Sequence, residues 1–163
     1  MVEKVKPEID DNDDGKKFIN IYSKGRTKLG KMLSHFYHSP FEHPTLKHFN
    51  SMEGFWHYVG GDVKDERLRT VPGWQAKKIG KDITKSYKAD FQKLIMEGNR
   101  CKIEANEELK KLFIESTLPF VHYYVADNGW IVKPKAQEWL CHGFETLRNQ
   151  MRAEAGLAPL FNT

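Results

Sequence analysis

Stretches with a clear hydrophobic period alternate along the chain with stretches that have none. Phe18-Ile19-Asn20-Ile21-Tyr22 alternates apolar and polar residues, which predicts a short strand. Residues 23–50 carry Gly, Pro and four His without a helical period; they predict a long irregular segment, and loops of that length in compact domains usually carry function. Met52 to Val59 reads as a short aromatic helix stopped by Gly60 and Gly61. Pro72 suits the first turn of a helix that runs to Gly80. Tyr87, Phe91, Leu94 and Ile95 share one face of a third helix, predicted to close near Gly98. Asn106 is a good N-cap, Glu107 and Glu108 suit the first turn that follows, and Leu109, Leu112 and Phe113 form the buried stripe before Pro119 ends the helix. Phe120 to Val125 is rich in β-branched and aromatic residues and predicts a strand, with Asp127-Asn128-Gly129 as a turn. A last helix is expected from about Lys135 to Ala155. Its stripe is Ala136, Leu140, Phe144, Leu147 and Met151, with Gly156 as its cap and Pro159 preventing continuation. The expected class is α+β: a mainly α-helical single domain over 18–163, with a few short β-strands around a central pocket, preceded by an acidic flexible tail over 1–17.

Composition narrows the function classes. With 163 residues, 39% hydrophobic and 12% aromatic, the chain can bury a core without staples. No apolar run approaches the roughly 20 residues of a membrane span, and the start lacks the apolar centre of a signal peptide. Cys101 and Cys141 lie outside any Cys-x-x-Cys pair and read as two buried thiols in a reducing compartment, so a cytoplasmic location is expected. Net charge is +4, and residues 64–111 hold thirteen Lys/Arg against eight Asp/Glu. That excess is either a basic face able to attract phosphates or a solvated helical surface. Asp10, Asn12, Asp14 and Gly15 match the first half of a calcium loop, but Ile21 stands where the bidentate Glu belongs. His35, His38, His43 and His48 are spaced too loosely for a metal signature. No metal and no cofactor are expected.

The stretch with most chemical content is Ser51-Met52-Glu53-Gly54-Phe55-Trp56-His57-Tyr58. On a helix, Glu53 and Trp56 lie three apart and share a face. A carboxylate among rings is a candidate general acid or base; the alternative is a partly exposed Glu beside ordinary core aromatics.

An ordered set of segments over roughly residues 18–152 resembles the YbiA/NADAR family. Phe18-Ile19-Asn20-Ile21-Tyr22-Ser23 is similar to its opening strand, and Leu33-Ser34-His35-Phe36 followed by Pro40-Phe41 resembles its Leu-Ser-Asn-Phe loop. Ser51-x-Glu53-x-Phe55-Trp56 resembles its Ser-Glu-x-aromatic helix, with one extra residue after the Ser. Ala76-Lys77-Lys78-Ile79-Gly80-Lys81, the helix from Asn106 to Leu112, and Leu147-Arg148-Asn149-Gln150 are similar to the segments that follow. The chain also departs from the family. Gly60 stands where many members have a Lys, His35 replaces the loop Asn, and His122 stands where many members have a Glu. After Trp130 the sequence Ile131-Val132-Lys133 has no counterpart of the family's Asp.

The resemblance implies an N-glycosidase-like hydrolase that cleaves a ribosyl N-glycosidic bond, in ADP-ribosylated guanine or DNA or in a ribosylated nucleotide intermediate. It implies Glu53 as the essential carboxylate. Tyr87 falls where the family has a Trp, and Trp130 corresponds to the family's later Trp; with Trp56 they would hold base or sugar. His35 and Phe36 would belong to the pocket, and Lys77, Lys81 and Arg100 would neutralise phosphates. Expected partners are a nucleotide or ADP-ribose-type ligand and ADP-ribosylated nucleic acid, with no membrane. The departures leave open a catalytically impaired module that binds ADP-ribose or nucleic acid. A protein-interaction domain using the basic helical face is a third reading.

Overall fold

The structure, a computed structural model, describes residues 2–5 and 9–160. It divides into two compact units, one built from Met1–Leu33 with Lys111–Thr163 and one from Ser34–Lys110.

In the first unit, β2 (Ile19–Asn20) pairs in parallel with β5 (Phe120–Val121). Asn20 locks this pair to the next turn of chain. Its buried amide donates to the Tyr123 carbonyl at 3.1 Å and accepts from the Tyr123 N–H at 3.0 Å. The helix α1 (Lys28–Leu33) lies within the stretch expected to be irregular. A small antiparallel sheet has the order β1 (Val2–Val5), β7 (Ile131–Pro134), β6 (Tyr124–Val125). The C-terminal α6 (Gln137–Glu154) buries Leu140, Phe144, Leu147 and Met151, the stripe expected from its period. It stops at Gly156, whose φ of +79° is a left-handed cap that only a residue without Cβ adopts cheaply. Two rings of this core, Phe113 and Phe120, stack at 5.7 Å.

Residues 9–17 correct the expectation of a loose tail. Asp10 caps a short 3-10 turn over Asp11–Asp13, accepting from the Asn12 N–H at 2.9 Å. Asp14 is buried, and its carboxylate accepts the backbone N–H groups of Asn20 at 2.9 Å and Arg26 at 2.8 Å. Turn donors that would otherwise lack an acceptor therefore hold the acidic cluster in place. Residues 1 and 6–8 of the expected tail, and residues 161–163 at the other end, lie outside the described residues.

The second unit centres on α2 (Met52–Gly60), packed against α3 (Gly73–Lys81) and α4 (Phe91–Glu104). A hairpin of β3 (Phe41–His43) and β4 (Lys47–Phe49) covers it, with Phe41 opposite Phe49. The rings of Phe41, Phe49, Phe55 and Tyr58 form a cluster with centroid contacts from 5.1 to 6.1 Å. Two expectations change here. Tyr87 precedes α4 rather than lying on it, and α4 runs through Gly98 to Glu104. Gly98 is a packing residue, not a terminator: a Cβ there would sit 2.7 Å from the ring of Phe55. Helix α5 (Glu107–Glu115), whose residues from Lys111 on belong to the first unit, starts after Asn106, which accepts from the Leu109 N–H at 3.1 Å as an N-cap.

Lys102 on α4 is fully buried, and its ammonium donates to the Ser34 carbonyl at 2.9 Å. Burial pushes it down to about 7 from the ordinary 10.5. Between those values the unfolded chain binds the proton more tightly, so Lys102 makes stability rise with pH across that window and adds no slope below it. Relative to wild type, Lys102→Met is therefore expected to be most stable at pH 7 and below, and to lose that advantage as pH rises towards 10.5. Urea denaturation across this range measures the difference; a pH-independent difference contradicts the assignment.

Candidate active site around Glu53

The N-terminus of α2 is fastened twice. The Ser51 hydroxyl accepts from the Gly54 N–H at 3.2 Å, and the Glu53 N–H donates to the His35 carbonyl at 2.8 Å. Both bonds satisfy donors that a helix start leaves open. The loop bearing His35 is held from behind by α4. Asn99 and the His35 ring are in hydrogen-bond contact at 3.3 Å, and Lys102 holds the Ser34 carbonyl.

Glu53 lies in the first turn of α2 and His57 one turn later on the same face. His57 Nε2 and Glu53 Oε1 are 2.9 Å apart, with the two side chains only 13% and 16% exposed. The other side of the His57 ring rests on Gly80 of α3, where a Cβ would lie 2.1 Å from Nδ1. Lys85, just beyond α3, donates to the carbonyls of Gly80 and, at 3.0 Å, Ile83. Burial pulls its ammonium below the usual lysine value, and the nearby Glu53 carboxylate opposes that fall. The result is a carboxylate with one oxygen tied to His57 and a cation close by.

A row of rings flanks this group. His35 lies 5.6 Å from Trp56, Trp56 is 4.9 Å from Phe91, and Phe91 is 4.7 Å from Tyr87. Phe91 is buried, whereas Tyr87 is 59% exposed and presents its ring to solvent. Gly60 makes room for the outer end of the row, since a Cβ there would meet Tyr87 at 3.0 Å and Phe91 at 3.1 Å.

Not every residue expected at the site gathers here. Glu53, His35, Trp56 and, through Phe91, Tyr87 form one connected group. Phe36 is exposed beside it in sequence, with the Lys77 ammonium 5.7 Å from its ring centre, and Lys77 and Lys81 are exposed on α3. Arg100 pairs with Glu104 at 3.6 Å and lines a recess of about 560 Å³ with Phe41, Glu42, His48 and Cys101; Glu53 is not part of that lining. Trp130 belongs to the other unit, where its N–H donates to Asn128 at 3.1 Å in the turn between β6 and β7. Three residues of the group, His57, Lys85 and Asn99, were not expected. The i,i+4 spacing of Glu53 and His57 is the one signal in the sequence that points to any of them.

Among the described residues, no group of three or more His, Cys, Asp or Glu side chains is placed to hold a metal ion, and no helix is long and apolar enough to cross a membrane. Cys101 and Cys141 are free thiols, Cys141 buried and Cys101 half-buried.

Comparison of the sequence with models of known families gives no match, and comparison with curated proteins gives none either. Among solved structures, the chain is similar to the NMR structure of the E. coli protein YbiA, with a TM-score of 0.65, 20% identity, and coverage of 85% of this chain and 87% of that one. That likeness shows the fold: the α+β arrangement of six helices and short strands among the described residues is YbiA-like.

The ring row separates support from display. Phe91→Ala is expected to lower the unfolding free energy by about 3–5 kcal/mol, because Phe91 is buried between Trp56 and Tyr87. Tyr87→Ala should cost about 1 kcal/mol or less. Urea titration of both variants checks the contrast, and comparable losses would contradict it.

Proposed function

We propose that this chain is a hydrolase of ribosyl N-glycosides, acting in the cytoplasm on a nucleotide or ADP-ribose-type ligand, with Glu53 as its working carboxylate. The observation that carries the reading is the fastened, mostly buried Glu53 carboxylate beside a row of rings that ends in an exposed Tyr87. The YbiA-like fold supports it. Among the described residues, Glu53 Oε1 bonds His57 and Oε2 has no protein hydrogen bond, so Oε2 is the oxygen available to a ligand.

In this reading the C1′–N bond loosens first and positive charge grows on the ribosyl carbon. A carboxylate nearby stabilises that charge. Glu53 Oε2 takes a proton from the attacking water, whose oxygen bonds to C1′. The base departs with the bonding electron pair and takes up a proton from solvent, and Glu53 returns its own proton to solvent. Trp56 and Tyr87 offer faces on which a base can stack, at about 1–3 kcal/mol per stacked base. Lys77 and Lys81 supply cations for phosphates.

Glu53→Gln is expected to lower the rate of base release from ADP-ribosylated guanine or from a ribosylated nucleotide by about 10²–10⁴-fold. Chromatographic assay of the freed base measures it. Equal turnover by wild type and variant removes Glu53 from the mechanism.

A second reading has one observation in its favour. Position 60, where the resemblance leads one to look for a Lys, is Gly, and the rings of Tyr87 and Phe91 fill the space above it. A module that binds ADP-ribose without cleaving it accounts for that replacement. Calorimetry with ADP-ribose, run beside the base-release assay, separates the two: binding with no release selects the module.

A further inference from the structure

We infer that His57 is the positioning residue of Glu53, and that Gly80 is the seat that fixes the His57 ring; this rests on reading Glu53 as the working carboxylate. The two ring nitrogens differ in their surroundings. Nε2 lies 2.9 Å from Glu53 Oε1, and Nδ1 is buried with no hydrogen-bond partner. A proton on Nδ1 would be a buried donor with no acceptor, which is costly. A proton on Nε2 has the carboxylate as its acceptor. The arrangement therefore selects the Nε2–H tautomer, which donates to Glu53.

Gly80 is what allows this. The ring lies flat enough on α3 that an added Cβ would stand 2.1 Å from Nδ1, 2.3 Å from Cγ and 2.6 Å from Cε1. Gly80 is held in turn, because its carbonyl accepts from the Lys85 ammonium. With one nitrogen against Gly80 and the other on Glu53, His57 has no nitrogen left for a ligand. It acts on the reaction only through Glu53: it fixes the carboxylate plane and occupies Oε1, which leaves Oε2 for the chemistry.

Two measurements test this. The first needs no substrate. With ¹⁵N-labelled histidine at neutral pH, NMR is expected to show His57 of the wild-type chain as a single Nε2–H tautomer. Glu53→Ala removes the acceptor, so the Nε2 resonance should shift and its N–H should exchange faster with water, while Gly80→Ala fills the seat and should shift the ring nitrogens towards a tautomer mixture. If Gly80→Ala does not fold, Glu53→Ala decides alone. A mixture in wild type, unchanged in Glu53→Ala, overturns the inference.

The second is kinetic. His57→Leu is expected to lower kcat by about 10- to 100-fold, the effect of one hydrogen bond to a charged group, with KM within about twofold. His57→Gln keeps an N–H donor of similar reach and should recover most of that loss, with melting temperatures confirming that both variants fold. Equal kcat for wild type and His57→Leu overturns the positioning role. Absence of base release in wild type counts against the proposed function instead, and the NMR measurement still judges His57.

Discussion

The contact between the His57 ring and the bare Cα of Gly80 governs the unit that carries Glu53. Any side chain on residue 80 would overlap the ring, so α2 and α3 can approach this closely only with glycine there. On another face, α2 meets α4 the same way, with the Phe55 ring against Gly98. Close approach on two sides leaves α2 little freedom to rotate or slide, because packed interiors resist small displacements. A helix of nine residues has scant stability of its own. It is held by these contacts and by its ends: Ser51 and the His35 carbonyl at the start, and Lys64, which donates to the carbonyls of Tyr58, Val59 and Gly61, at the finish. Glu53 is therefore mounted on a rigid element rather than on a loop, the kind of support a working carboxylate needs.

The lysines of this unit extend the same logic. The excess of cations over 64–111 is only partly a surface. Lys64 and Lys85 close the C-terminal ends of α2 and α3, where exposed carbonyls and the helix dipole favour a cation, and Lys102 holds the Ser34 carbonyl. Burial pulls all three below the usual lysine value. Arg67 and Arg100 are engaged by Asp65 and Glu104, and Arg69 lies between the rings of Phe49 and Tyr58. The lysines of this stretch that stay exposed are Lys77, Lys78 and Lys81 on α3, with Lys88, Lys93 and Lys111 elsewhere. Counting charge along the sequence overstates the basic surface, because it does not separate cations that finish helices from those that face water.

The same distinction between local and tertiary causes explains what was legible beforehand. Pro72, Asn106, Pro119 and Gly156 act through local backbone chemistry, and the helix ends they mark were readable from sequence. α1 is only six residues long, with Lys28, Gly30 and Lys31 among its apolar residues, and the β3–β4 hairpin takes its positive φ of 70° at Lys47, where β4 begins, instead of at a Gly or Asn, so neither left a pattern. Gly98 misled for a related reason: the sequence signal of a helix stop is the same as that of a packing contact, and only the Phe55 ring decides between them. At the site, Glu53 and Trp56 were visible because they lie on one short helix. Lys85 and Asn99 come from segments 32 and 46 positions after Glu53, and nothing local marks them.

Gly60 and Tyr87 show how a departure at one position can be answered at another. A side chain at 60 would press on the rings of Tyr87 at 3.0 Å and Phe91 at 3.1 Å, so the ring at 87 sits this close because residue 60 is glycine. The place where the resemblance points to a lysine is thus filled by aromatic surface, and Lys85, whose charge interacts with Glu53, comes from a different segment, with its ammonium tied to the end of α3. An amine so engaged by carbonyls serves the electrostatics of the carboxylate more readily than it serves as a nucleophile, which must present a free electron pair. Under the proposed reaction the burden therefore falls on Glu53 itself: its orientation, set by His57, and the rings that would hold a ligand against it.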